Sequence, residues 1–90
     1  MPSAQVILCN QLGLHARASA KLVDTANRFS AEVCLLTDTQ QQANAKSIMG
    51  LMMLGAPCGT QIQLDATGDD AEQALEAIVT LINNRFGEES

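Results

Sequence analysis

The sequence predicts an α+β fold, an open-faced sandwich in which a four-stranded antiparallel sheet carries three helices on one face, in the order β-α-β-β-α-β-α. Three observations lead there. Residues 60–66, TQIQLDA, alternate apolar and polar residues, as a strand with one buried and one wet face requires. Residues 69–87 instead repeat apolar residues every three or four positions, as a helix lying on such a sheet requires. The length of 90 residues suits a single domain, 1–90, with one core.

The elements follow in order. Residues 4–10, AQVILCN, are β-prone, with Val6 and Leu8 on one face. Gly13 breaks that pattern, and helical spacing begins at Ala16: Ala16, Ala20, Val23 and Ala26 or Asn27, with Leu22 beside them and Phe29 closing the stripe. Residues 31–37, AEVCLLT, form a second strand with Val33 and Leu35 inward. A brief third strand fits around Gln41–Ala43. Ser47 and Gly55 are a favoured N-cap and a favoured terminator, so 47–55 is predicted as a two-turn helix despite Gly50. In the last strand Ile62, Leu64 and Ala66 face the core. The final helix is capped by Asp69 or Asp70, with Glu72 or Gln73 completing a capping box. Its stripe is Ala71, Leu75, Ile78, Val79, Ile82 and Phe86; Gly87 ends it, and the tail GEES is expected to fray.

Composition excludes several classes of function. Hydrophobic residues make up 47% of the chain and aromatics 2%, so the core must be aliphatic around Phe29 and Phe86. A net charge of −5 and the lack of a stacking platform argue against nucleic acid. No apolar run reaches the ~20 residues a membrane span needs, and a basic leader is missing, so a cytoplasmic protein with no membrane partner is expected. Cys9, Cys34 and Cys58 are an odd set without CxxC spacing, so neither a disulfide framework nor a metal site is expected. No cofactor is called for. Acidic residues concentrate towards the C-terminus, whereas Arg17, Lys21, Arg28 and Lys46 precede them and offer a local positive patch.

The chemistry centres on LGLHARASAKL, residues 12–22, which holds the one histidine of the chain. His15 falls at the N-cap of the first helix, where Ser, Thr, Asp or Asn would be usual. The backbone N–H groups of Ala16, Arg17 and Ala18 then lie at the positive end of the helix dipole and favour an anion. Arg17 adds a forked donor suited to phosphate oxygens. A neutral imidazole is nucleophilic and can accept a phosphoryl group and pass it on. One histidine, with no second base or carboxylate pair, suits a relay whose partners supply the rest.

GLHAR (13–17) together with NAKSIMGLMMLG (44–55) resembles the HPr family of histidine-containing phosphocarrier proteins of the bacterial phosphotransferase system. Element order, length and the Gly-Thr entering the last strand fit as well. The resemblance implies that His15 takes phosphate on Nδ1 from phosphorylated enzyme I and gives it to an enzyme IIA-type acceptor. It makes Arg17 the active-site arginine, Ser47 the match to a serine that a dedicated kinase modifies in some bacteria, and Ile48, Met49, Leu51 and Met52 the partner-docking patch. The apolar run IMGLMMLG and the acidic balance resemble the nitrogen-related branch, NPr, with sugar-transport HPr as the alternative. The chain departs from the usual GLHARPA at Ala18, which replaces a proline. Since proline's missing N–H would be unpaired in a first turn, Ala18 should keep the helix and restore a donor.

Other readings stand beside these. Ser47 is fully explained as a helix cap worth about 1 kcal/mol, though a phosphate there would also suit the helix start, with Lys46 adjacent. A short helix apolar on nearly every side cannot bury all of Ile48, Met49, Met52 and Met53 on one sheet, and exposed thioethers suit a carrier that meets unlike partners. A module that binds through residues 47–55 without transferring phosphate is the competing function. Cys9 and Cys34 are expected on the sheet's outer face, kept apart by the last strand of the family's sheet, and Cys58 in a turn, as the most reactive of the three. The protein is expected to be a monomer and a carrier, not an enzyme.

Overall fold

The computed structural model describes residues 2–87. Its elements are β1 (Ser3–Ile7), α1 (Ala16–Ala26), β2 (Glu32–Thr37), β3 (Gln42–Asn44), α2 (Ile48–Leu54), β4 (Gln61–Thr67) and α3 (Ala71–Asn83), followed by a short 3₁₀ turn, Arg85–Gly87. The strands lie in the order β1-β4-β2-β3, and each neighbouring pair is antiparallel. This is the predicted sandwich. β4 separates β1 from β2, and Cys9, just beyond β1, and Cys34, on β2, are both free thiols.

Register explains the core. Val6 lies opposite Ile62, and Leu64 lies opposite Leu35, which in turn faces Ala43. Period-two alternation sends all of these to one face, where they are buried with Val33 and Ala66. Each fully buried Leu or Ile contributes roughly 1.5–3 kcal/mol. α3 packs across β1, β4 and β2, α2 packs beside β3, and α1 lies against both α2 and α3. The other face of the sheet is open and polar, with Gln61 donating to Gln5 at 3.0 Å and Gln63 to Asp65 at 3.1 Å.

β1 stops at Ile7, three residues before the expected end. The reason lies across the sheet, where Pro57 O accepts from Thr60 N–H in a tight turn with Gly59 at φ +92°. Gly59 N–H donates to Leu8 O while Leu8 N–H donates to Thr60 O, so two residues oppose one in a glycine bulge. Leu8 remains fully buried, but the regular ladder ends there. Cys9 does not reach the sheet's outer face as expected; beyond the strand its thiol turns to the end of α3, 3.4 Å from Ile82 O. Cys58 is exposed in the turn, and Cys34 is half-buried.

The structure corrects three further expectations. In α1 the buried row is Ala18, Ser19, Leu22, Thr25 and Ala26, whereas Ala16 and Ala20 are exposed. Alanines carry little burial energy, so Leu22 sets the rotation and the row four residues either side of it follows. At α3 the N-cap is Asp70, but no capping box forms, because its carboxylate accepts from Ser30 and Ala31 instead. Finally, Phe86 is not on the helix. α3 ends at Asn83, and Arg85 and Phe86 adopt left-handed backbone at φ +56° and +55°, which folds the fully buried Phe86 ring back into the core. Lys21 Nζ donates to Phe86 O at 2.6 Å and holds this turn on α1. Of the tail GEES, Glu88, Glu89 and Ser90 lie outside the described residues.

Candidate functional site

The loop that delivers His15 is fixed before the helix begins. Gly13 N–H donates to Asn10 O at 3.1 Å, and Leu14 N–H donates to Ala56 O at 2.9 Å, tying the loop to the segment that follows α2. Gly13 has φ +65°, and a Cβ there would lie 2.3 Å from Ala56 O, so only glycine lets the two segments approach this closely. Buried Leu14 anchors the chain in the core. His15 follows at φ −82° and ψ −179°, an extended residue in the N-cap position.

The His15 side chain caps its own helix. Its Nδ1 accepts from Arg17 N–H at 3.3 Å, a bond that uses the Nδ1 lone pair and leaves Nε2 as the ring nitrogen that carries hydrogen. Ser19 N–H donates to His15 O at 2.9 Å, which is the first intrahelical bond. The N–H groups of Ala16, Arg17 and Ala18 therefore precede the ladder, at the positive end of the dipole and beside Nδ1. No acidic residue lies in this first turn. The ring is half-buried, and the Arg17 side chain is exposed.

The other cations of the expected positive patch each have a partner of their own. Lys21 is engaged by Phe86 O, Arg28 pairs with Asp24 at 3.3 Å, and Lys46 Nζ donates to Phe29 O at 2.9 Å. The charge beside the histidine is that of Arg17.

α2 forms as predicted, with Ser47 Oγ accepting from Gly50 N–H at 3.0 Å and Gly55 closing the helix at φ +58°. Ile48, Met49 and Met52 are exposed, Met49 to 68%. Leu51, placed on the docking patch from the sequence, is instead fully buried. A seven-residue helix resting on β3 and α1 must turn one side inward, and Leu51 is on that side. Met53, at 81% exposed, extends the surface, and Leu12, at 69%, is a further exposed apolar side chain, in the loop before His15. Leu12 escaped sequence reasoning; an apolar residue within the polar turn of Asn10 and Gln11 was the available signal. The hydrogen bond from Leu14 to Ala56 joins the histidine loop to the segment just beyond this surface.

Among the described residues no three His, Cys, Asp or Glu side chains are grouped to hold a metal ion. None of the described helices is long and apolar enough to cross a membrane.

The family model for the "PTS HPr component phosphorylation site" matches residues 2–84. The chain belongs to the HPr family. It is 44% identical over 88 residues to phosphocarrier protein HPr of Pseudomonas aeruginosa, covering 98% of each chain. To phosphocarrier protein NPr of Shewanella violacea it is 44% identical over 86 residues, covering 96% of this chain and 93% of that one. A crystal structure of HPr from Thermoanaerobacter tengcongensis covers 100% of both chains at a TM-score of 0.93 and 44% identity. An HPr dimer from the same organism covers 98% of this chain and 100% of that one, at a TM-score of 0.77 and 44% identity. As a member of this family, the chain is a phosphocarrier of the phosphotransferase system and not an enzyme in its own right.

Proposed function

We propose that His15 is the phosphoryl-carrying residue, taking phosphate on Nδ1 from phosphorylated enzyme I and passing it to an enzyme IIA-type acceptor. The observation that carries this reading is the Nδ1 lone pair at the start of α1, held by Arg17 N–H. In the transfer, an N–P bond forms at Nδ1 as the donor imidazole's N–P bond breaks and its electron pair returns to the donor ring. The Arg17 N–H then turns from nitrogen to a phosphoryl oxygen, joined by the N–H groups of Ala16 and Ala18 and by the Arg17 guanidinium. In-line approach of two protein imidazoles needs a surface that aligns them, and Ile48, Met49, Met52 and Met53 supply it. Met49→Glu should raise the KM for enzyme I while leaving the fold intact.

We assign the protein to the nitrogen-related branch, in the cytoplasm and as a monomer that presents its site to successive partners. The support is the methionine-rich surface of α2, the acidic balance of the chain and the likeness to an NPr. The Pseudomonas aeruginosa relative is named HPr, which favours the sugar-transport reading. Ser47 serves as the cap of α2, its Oγ accepting from Gly50 N–H at 3.0 Å, and a phosphate on that oxygen would lie at the start of the same helix.

Intact mass after incubation with phosphoenolpyruvate and enzyme I of each branch tests the proposal. The expected result is one added phosphate, removed by acid, absent in His15→Ala, and supplied faster by the nitrogen-branch enzyme. Faster labelling by the sugar-branch enzyme would reassign the branch. No label from either, in folded protein, would leave a module that binds through residues 47–55 without transfer. Sedimentation at working concentration checks the monomer.

A further inference from the structure

We infer that Asn10 is a positioning residue for phosphoryl transfer, its buried amide setting the backbone from which His15 is presented; this rests on the function proposed for His15. Beyond the end of β1 the chain keeps every second side chain inward, so that Val6 in the strand and Leu8 and Asn10 after it are all buried, Asn10 to 0% exposure. An apolar residue would satisfy that position at lower cost, because an amide taken from water must be repaid in hydrogen bonds. One bond of this side chain bears on the histidine loop. Asn10 Nδ2 donates to Gly13 O at 2.8 Å, closing the same turn that Gly13 N–H closes on Asn10 O.

Gly13 O is also the acceptor for His15 N–H, at 3.0 Å. A carbonyl has two lone pairs, and here one meets the Asn10 amide and the other the histidine backbone. Asn10 thereby fixes the carbonyl on which His15 hangs, while Gly13 and Ala56 fix the loop from the other side. Nδ1 meets Arg17 N–H only if the His15 backbone is held at its extended ψ of −179°. Aspartate at position 10 would lack the donor, and a shorter side chain would not reach.

Asn10→Ala and Asn10→Asp test this, with three readouts. Phosphoryl acceptance from enzyme I should fall about tenfold to a hundredfold in kcat, the range that small misplacements cost, with KM little changed. The His15 ring-nitrogen chemical shifts should move from the Nε2–H tautomer towards a mixture, a signature that needs no phosphate and so stands apart from the carrier proposal. In the wild type, the Asn10 side-chain amide resonances should shift when His15 is phosphorylated, which keeps the test open even if a variant fails to fold. Variants with wild-type kcat and ring shifts, whatever their stability, would overturn the inference, as would amide resonances that ignore phosphorylation. A wild-type chain that accepts no phosphate would sink the carrier proposal instead.

Discussion

α1 and α3 each begin with a side chain that could cap the helix, and the two starts are used in opposite ways. His15 turns its Nδ1 onto its own first turn, at 3.3 Å from Arg17 N–H, with a basic residue and no acidic one in that turn. Asp70 turns away from its helix. Its carboxylate accepts from Ser30 N–H at 3.0 Å, Ser30 Oγ at 3.3 Å and Ala31 N–H at 2.8 Å, and Glu72 adds a second negative charge in the first turn. Both helix starts carry the same dipole. At α3 the positive end is answered by the chain's own acids and the cap is spent on joining two loops. At α1 it meets an imidazole and no carboxylate in the first turn, and the capacity to hold an anion is retained.

Removing the nucleophile gives the largest effect. His15→Asp makes the start of α1 resemble that of α3, so phosphate acceptance should vanish in the mass assay. The helix should gain about 0.5–1 kcal/mol from a better cap and a dipole-matched charge, read as a higher urea midpoint. A drop in stability would show that the histidine is built into the fold more deeply than a cap.

Gly13→Ala should come next, costing about 2–4 kcal/mol because it adds a Cβ at positive φ against the Ala56 carbonyl. Denaturant unfolding checks it. Gly59 provides the control: it also has positive φ, but a Cβ there meets open space, so Gly59→Ala should cost less. Equal losses at the two sites would mean that close approach to Ala56 does not matter.

Arg17→Ala should slow phosphoryl acceptance about tenfold to a hundredfold, the scale of one lost charge-stabilising donor, with stability changed by less than about 0.5 kcal/mol. Rapid-quench kinetics beside thermal unfolding would separate the two effects.

The smallest effect on transfer belongs to Asp70→Asn, which should leave it unchanged and alter only the acid limb of stability. The Ser30 backbone N–H, chiefly, holds the Asp70 carboxyl below its ordinary 3.8, assisted by Ala31 and the Ser30 hydroxyl. A depressed carboxyl contributes stability that is complete above the unfolded value and is lost as pH falls through the folded one. Stability of the wild type should therefore decline below about pH 3.8, and more gently in the variant. Transfer that falls in Asp70→Asn at neutral pH would break the separation between the two helix starts.

Whatever follows from spacing along one element was legible in the residues alone. Alternation in TQIQLDA fixes which face of β4 is buried, Ser47 and Gly55 bound α2, and a histidine between a glycine-led loop and a helical stripe had to be a cap. Tertiary structure decided every outcome in which distant segments compete for the same group. Leu51 faces inward and Met53 outward because α2 rests on β3 and α1, a contact that no local period encodes. Asp70 leaves its capping box because two backbone N–H groups and a hydroxyl forty residues earlier offer more than one helix turn does. Phe86 abandons the helical stripe because its ring is buried only if the backbone turns left-handed, and core packing outweighs the local cost of that conformation.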